Sequence, residues 1–324
     1  MSDDNLLAEQ VDRLLADRVD AKLIAAAEAG SWPTALWDEL VAMGLTLALV
    51  PEEQDGAGLG WAEAGTIFTA LGRHAAPVPL GETMLAAWAL AAAGIAVPDG
   101  VLSLALPDEA VPWGEQAAHV VAIDETELRL LATPQGTAQR TIGRDPRSHL
   151  DLTGCKAIST GNLPGGVARL NALAAIMRAA QMAGAMRRIL ELCLEYANVR
   201  SQFGRPIGKF QAVQHMIAVL ATETAAAEVA AAIGLRAAGQ ADPALGAGIA
   251  KTRTGMAAAS VAALAHQVHA AIGVTDEYSL HYFTRRLWQW RSEFGSEHAW
   301  AQRIGRSARA AGGAGLWPLI TRGS

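Results

Sequence analysis

The segment RSQFGRPIGKFQAVQ, residues 200–214, separates two long segments of helical periodicity. Two glycines and a proline within it break the helical pattern. Apolar residues recur at helical spacing on both sides: Met186, Ile189, Leu190, Cys193 and Ala197 before it, and Phe210, Val213, Ile217 and Leu220 after it. Long, alanine-rich helices of this kind pack closely. The carboxyl half of the chain is therefore predicted to be a helical bundle.

Two further regions precede the bundle. Residues 5–94 are mostly helix formers, interrupted by Pro33, Pro51 and a glycine cluster at 56–60. From residue 101 to about 152 the pattern changes to short apolar runs, LSLAL at 102–106, HVVAI at 119–123 and ELRLLA at 127–132, which predict a small β unit. The apolar run at 84–97 is too short to span a bilayer and is interpreted as a buried helix.

Composition limits the kind of protein this can be. The chain has 324 residues, of which 51% are hydrophobic and 18% charged, so it can bury a large core. Its net charge of −6 and scattered basic residues argue against nucleic acid as a partner.

Cys155 and Cys193 lack CxxC spacing, and the acidic amino terminus does not resemble a signal peptide, so a reducing cytoplasm is expected. His266 and His269 have no carboxylate at matching spacing, so packing is favoured and no metal site is predicted.

The order of helices, sheet and bundle resembles the acyl-CoA dehydrogenase family from roughly residue 35 to residue 305. The stretch LWDELVAMGLTLALVPEEQDGAGLGWAEAGTIFTALGRHAAPVPLGETMLA is similar to the amino-terminal domain of that family, and RSQFGRPIGKFQAVQ is similar to its flavin-contacting signature. HQVHAAIGVTDEYSLHYFTRRLWQWRSEFGSEHAW resembles its last long segment. The resemblance implies a mainly α fold with a small β domain: an N-terminal helical domain at 1–98, a shortened β domain at 99–162, a C-terminal four-helix bundle at 163–315 and a tail at 316–324.

The resemblance also implies FAD as cofactor. The arginine of the signature matches Arg200, whose planar, permanently charged fork suits pyrophosphate or ribose oxygens. Phe203 would lie against the adenine face, and Gln267 can both donate to and accept from a nucleotide edge. The residues implied in cofactor contact are Arg200, Gln202, Phe203, Ile207, Gln211, Gln267 and Gly273. Alanines at 270 and 271 replace the paired glycines of the family and put close backbone approach to adenine in doubt.

The catalytic base of the family is missing. The Tyr-Glu-Gly-Thr loop of many members corresponds to Glu293, Phe294, Gly295 and Ser296, which puts a phenylalanine at the glutamate position. The alternative glutamate position, on the first bundle helix, corresponds to Ala174. Neither side chain can accept a proton, so no catalytic residue is assigned to this chain. Glu293 or Glu297 could substitute only if the loop were rebuilt.

The β unit likewise lacks segments that the family uses to bind the flavin. The family holds the flavin ring with Thr-Glu-Pro, Gly-Ser-Asp and Trp-x-Thr segments, whereas this chain has LALPDEAVPWGEQAAH and no Trp-x-Thr in the β unit. In the family each flavin lies across a subunit interface, with its ring in one subunit and its adenosine end gripped by the neighbour. This chain retains the residues with which a subunit grips the adenosine end of its neighbour's flavin. It lacks the segments with which a subunit holds its own flavin ring.

The pattern resembles the short companion subunit of heteromeric α2β2 acyl-CoA dehydrogenases of bacterial steroid side-chain degradation. It implies a full-length partner that supplies the ring site and the base, with the shared FAD serving α,β-desaturation of an acyl-CoA. Three alternatives stay open. They are a homomeric dehydrogenase with its base at Glu293 or Glu297, a purely structural subunit without flavin contact, and a flavin-independent enzyme of the same fold. The sequence does not identify the acyl group.

Overall fold

The computed structural model describes residues 3–133 and 135–321. The amino-terminal helices are α1 (Asp3–Arg18), α2 (Ala21–Glu28), α3 (Thr34–Ala42), α4 (Trp61–Arg73) and α5 (Leu80–Ala92). The strands that follow are β1 (Leu102–Ala105), β2 (Val111–Pro112), β3 (His119–Asp124), β4 (Glu127–Ala132), β5 (Gly136–Gln139), β6 (Arg147–Leu150) and β7 (Ser159–Asn162). The carboxyl half contains α6 (Gly166–Val199), β8 (Ser201–Gln202), β9 (Arg205–Pro206), α7 (Gln211–Ala238), α8 (Ala244–His269), α9 (Leu280–Trp290) and α10 (Glu297–Thr321).

The amino-terminal helices pack directly on the long helix α6. A Cβ at Gly72 of α4 would lie 1.8 Å from the carbonyl oxygen of Gln181, and one at Gly184 would lie 2.0 Å from that of Thr69. Backbone therefore meets backbone where α4 crosses α6, which only glycine permits. Helix α5 is buried along most of its length, as predicted for the apolar run that begins at residue 84, although it ends at Ala92.

Two small sheets form the middle region. The larger has the strand order β1-β3-β4-β7, with β1 parallel to β3 and the other pairs antiparallel. The smaller has the order β2-β6-β5 and is antiparallel. The three apolar runs form β1, β3 and β4, so those strand predictions are confirmed. The other strands are short or exposed and lack the apolar runs that predicted the first three.

The carboxyl half is a bundle of α6, α7, α8 and the first part of α10, with the short α9 beside them. The predicted apolar face of α6 is confirmed, since Met186, Ile189, Leu190, Cys193 and Ala197 are all buried. Two helical stretches, Gln211–Ala238 and Ala244–Val274, have the length and hydropathy of bilayer-crossing helices, but 28% and 44% of their most apolar windows are buried within the described structure. Helix α10 changes direction at Gly312 (φ 65°, ψ −179°) and continues to Thr321. Part of the predicted tail, residues 316–321, is therefore helical, and residues 322–324 lie outside the described residues.

Candidate functional site

A tight hairpin follows the end of α6. Gln202 pairs with Arg205 across it, and the two residues between them, Phe203 (φ 51°) and Gly204 (φ 77°), both have positive φ. Two positive φ values define the hairpin turn whose twist matches its strands, a conformation that suits Gly204 but strains Phe203. As a result the Phe203 ring projects outward and is 92% exposed, touching only the edge of Phe210 among the aromatic rings of the described structure.

A cavity of about 530 Å³ opens beside this hairpin, between the end of α6 and the end of α8. Five of the seven residues predicted to contact the cofactor line it: Arg200, Gln202, Phe203, Ile207 and Gln267. The polar heads of Arg200, Gln202 and Gln267 have no side-chain hydrogen bond or ion pair to the described residues. The cavity therefore offers a fixed cation, two amides and an aromatic face, all free to receive a ligand.

The other two predicted residues lie outside the cavity lining. Gln211 is exposed at the start of α7. Gly273 is buried, and a Cβ added to it would lie 2.8 Å from the Cβ of His269. The absence of a side chain at this position is thus required by packing behind the cavity.

The alanines that replace the family glycines differ from each other in conformation. Ala270, which directly follows the last residue of α8, has φ 52° and ψ −137°, a region that is essentially restricted to glycine. Ala271 follows within a short 3₁₀ helix, Ala270–Val274, and both alanines line the cavity. The backbone therefore makes the glycine-type turn in spite of the methyl group, and it stores strain at Ala270.

Neither position corresponding to the family base can remove a proton. Phe294 is 1% exposed, with φ 55°, and its ring faces the guanidinium of Arg178 at 5.5 Å. The Trp300 indole donates to the Phe294 carbonyl oxygen at 2.9 Å and fixes the loop. Ala174 is fully buried on α6.

Buried charges fill the space around Phe294. Glu293 forms ion pairs with Arg147 and Arg178, each at 2.7 Å, and Arg178 also pairs with Glu82 at 2.7 Å. On the other side of this cluster Arg286 pairs with Asp145 at 2.9 Å. Lys251, which is fully buried, donates at 2.8 Å to each of two carbonyl oxygens at the end of α9. We call this set the central ion cluster; its basic members are Arg147, Arg178, Lys251 and Arg286, and its acidic members are Glu82, Asp145 and Glu293.

The two candidate replacement bases are held as ion-paired carboxylates. Burial alone would raise the pKa of Glu293, but Arg178 and Arg147 lower it to about 2. Burial would likewise raise the pKa of Glu297, but its hydrogen bond and ion pair with Arg291 hold that pKa below its usual value. A carboxylate that binds protons so weakly is a poor base near neutral pH. Neither residue therefore has the properties of a relocated base.

The structure tests whether each half of FAD fits this chain. The cavity beside the hairpin fits the adenosine and pyrophosphate end, because free polar heads and an exposed aromatic ring converge on it. The region around Phe294 does not fit a flavin ring, because the charged groups there are buried and pair with one another in the central ion cluster. The ion cluster and the strain at Ala270 were not foreseen from the sequence. The three arginines and the lysine of the cluster lack a common spacing that would have revealed it.

Two family models match the chain, one described as "Acyl-CoA dehydrogenase, C-terminal domain" over residues 169–308 and one as "Acyl-CoA dehydrogenase, N-terminal domain" over residues 1–96. Acyl-CoA dehydrogenase IpdE2 of Mycobacterium tuberculosis is 33% identical over 293 residues, covering 87% of this chain and 89% of the relative. A variant of the Tcur3481-Tcur3483 steroid ACAD has a TM-score of 0.84 at 26% identity, covering 95% of this chain and 98% of that chain. The ChsE4-ChsE5 complex from Mycobacterium tuberculosis has the same TM-score and coverage at 22% identity, a likeness that shows the fold.

Proposed function

The chain belongs to the acyl-CoA dehydrogenase family, which uses FAD, and we propose that it is the companion subunit of a heteromeric dehydrogenase. In this role it gives the adenosine and pyrophosphate half of an FAD site to a full-length partner. One observation carries the proposal. The cavity for the nucleotide end is open and its polar heads are free, whereas the central ion cluster occupies the region of the missing base.

The partner supplies what this chain lacks. In the reaction of the family, the α-proton of the acyl-CoA passes to a carboxylate, and when bound the flavin supplies the acceptor for hydride from the β-carbon. With Phe294 and Ala174 at the two base positions, that carboxylate comes from the partner. Arg200 and Gln202 of this chain would hold the pyrophosphate and ribose, while Phe203 and Gln267 would hold the adenine.

The surface of the bundle supports association with another subunit. Helix α7 is apolar, yet only 28% of its most apolar window is buried within the chain. Val229 on α7 and Met256 on α8 are each more than half exposed. Apolar helix faces of this kind are typical of subunit interfaces. Together with the exposed ring of Phe203 at the hairpin, these faces favour an α2β2 assembly of two companion and two full-length subunits.

We further propose that the substrate is a steroid side-chain CoA thioester and that the complex works in the cytoplasm. The steroid assignment is supported by the Tcur3481-Tcur3483 steroid ACAD, which aligns with 95% of this chain. The cytoplasmic assignment is supported by Cys155 and Cys193, which are free thiols in the described structure.

Flavin absorbance tests the proposal. The chain is purified alone and again after co-expression with a full-length acyl-CoA dehydrogenase, and we expect flavin only in the complex, at about one per pair of chains. Arg200→Ala in the complex should weaken FAD binding by about 10- to 100-fold, since charged hydrogen bonds are lost. Arg13→Ala, at an exposed arginine of α1, is the matched control and should leave FAD binding unchanged.

The rival functions give different results. A homomeric enzyme would bind flavin stoichiometrically when this chain is purified alone, and it would reduce a dye with an acyl-CoA. A purely structural subunit would leave the flavin content of the complex unchanged in Arg200→Ala. Either result would overturn the proposal.

A further inference from the structure

Aromatic side chains form the inner wall of the nucleotide cavity. Tyr196, one helical turn before Arg200, stacks on His269 with ring centroids 4.6 Å apart and planes at 25°. Both residues line the cavity, and His269 is only 1% exposed. A third ring, Tyr278, packs against both from the loop that precedes α9.

Both ring nitrogens of His269 have partners. Nδ1 lies 2.8 Å from the Ala265 carbonyl oxygen, which can only accept, so Nδ1 carries the proton and donates. Nε2 lies 3.2 Å from the Tyr278 hydroxyl. Burial lowers the pKa of His269, so the ring is neutral and Nε2 accepts from that hydroxyl. The tautomer is therefore fixed by the fold.

The nearby thiol does not take part. Cys193 Sγ lies 3.9 Å from Nδ1, but burial raises the pKa of Cys193 to about 12. A thiol that stays protonated forms no reactive pair with a neutral imidazole. The partners of His269 therefore give it a structural role, and Cys193 is not a reactive nucleophile beside it.

The bonds of His269 close a loop around the strained turn. His269 is the last residue of α8, the 3₁₀ helix Ala270–Val274 follows it, and Tyr278 lies just beyond. The hydrogen bond between His269 and Tyr278 thus joins the two ends of the segment that contains Ala270. Gly273 of the same segment packs so closely on His269 that a Cβ would lie 2.8 Å from the histidine Cβ. A strained backbone conformation persists only when its surroundings hold it in place.

We propose that His269 is a positioning residue: with Tyr278 it clamps the Ala270–Val274 turn, and with Tyr196 it shapes the cavity that receives the nucleotide end of the flavin. This inference rests on the proposed function, because it takes FAD as the ligand. His269 acts through the turn, whose residues Ala270 and Ala271 line the cavity. Loss of the clamp should therefore weaken FAD binding without removing any group that bonds to FAD.

The test is FAD titration of the apo-complex with its full-length partner, together with the melting temperature of each variant. Tyr278→Phe removes only the hydroxyl and should weaken FAD binding about 3- to 10-fold. His269→Phe should weaken it at least as much, and His269→Gln, which retains an acceptor, should restore part of the loss. Tyr282→Phe is the matched control, since its hydroxyl donates to the Ala21 carbonyl at 3.3 Å and its loss should lower only the melting temperature.

The double variant His269→Phe/Tyr278→Phe measures the coupling. Because the two residues act as one unit, its FAD affinity should fall little below that of His269→Phe alone. If Tyr278→Phe lowers the melting temperature as Tyr282→Phe does but leaves FAD affinity unchanged, the clamp is overturned. Arg200→Ala separates this failure from failure of the proposed function. If Arg200→Ala weakens binding and Tyr278→Phe does not, the clamp alone is wrong; if neither variant has an effect, both proposals are wrong.

Discussion

Glu293→Gln is the most direct perturbation of the central ion cluster. The carboxylate forms ion pairs with Arg147 and Arg178 at 2.7 Å each and accepts a hydrogen bond from the Gln289 amide at 2.8 Å. Glutamine has nearly the same shape but no charge. The substitution therefore leaves two buried guanidinium groups with less compensating charge, while the packing is preserved.

The pKa of Glu293 sets the magnitude. It falls from 4.5 to about 2 in the folded chain. At about 1.4 kcal/mol per unit, this difference corresponds to roughly 3 kcal/mol of stability at pH 7. Breaking a buried pair by removing one partner costs a similar amount, about 3–5 kcal/mol. Because the folded pKa is lowered, the contribution is fully present above pH 4.5 and is lost as the pH falls through about 2.

The measurement is the free energy of unfolding in urea, for wild type and Glu293→Gln, at pH 7 and pH 3. We expect the variant to be about 3 kcal/mol less stable at pH 7, and the difference to narrow to about 1 kcal/mol at pH 3. Glu53→Gln, at an exposed glutamate, is the control and should change stability by less than about 0.5 kcal/mol.

Two results would refute this reasoning. One is a difference below about 1 kcal/mol at pH 7. The other is a difference that stays the same at pH 3, which would show that Glu293 does not carry the charge in question. A complex that retains its fold but loses desaturation about 100-fold in Glu293→Gln would instead point to a relocated base.

Three other substitutions test separate features. Ala270→Gly should stabilise the chain by about 1 kcal/mol in thermal unfolding, because glycine relieves the strained turn; no gain would mean that the turn is unstrained. Burial lowers the pKa of Lys251 from 10.5 to about 7, so between these values the unfolded chain binds more protons than the folded chain. The free energy of unfolding of the wild type should therefore rise by roughly 2–3 kcal/mol from pH 7 to pH 9. Lys251→Met should lack that rise, and an equal rise in the variant would contradict the assignment. Gly72→Ala should destabilise the chain by more than about 3 kcal/mol, because the added Cβ would meet the Gln181 backbone. Gly305→Ala, in open space on α10, is the control and should be neutral or stabilising. Equal effects of the two substitutions would exclude a tight crossing of α4 and α6.

Local signals in the sequence predicted much of the fold. The apolar runs at 102–106, 119–123 and 127–132 became β1, β3 and β4, and the face that begins at Met186 is buried. These elements were predictable because their periodicity is set by backbone geometry alone. The short strands β2 and β5–β7 were not, since pairing with distant strands stabilises them rather than their own pattern.

The residues of the candidate site could likewise be predicted only in part. Its motif residues Arg200, Phe203 and Gln267 could be named from the sequence, and five of the seven predicted residues line one cavity. The aromatic wall was not predicted. Tyr196 and His269 are 73 residues apart in sequence, and only the crossing of α6 and α8 stacks them.

The sequence by itself determined the helical and strand periodicity, the residues available to grip a nucleotide and the absence of a base at positions 174 and 294. Tertiary structure alone decided which charged side chains are buried and which ion pairs they form. Glu293 was one of two candidate bases, with Glu297, until folding placed it between Arg147 and Arg178, which come from a strand and a helix far from it in the chain. Residue identity fixes what a group can do chemically, but its pKa depends on burial and on neighbouring charges, and only the folded chain supplies these.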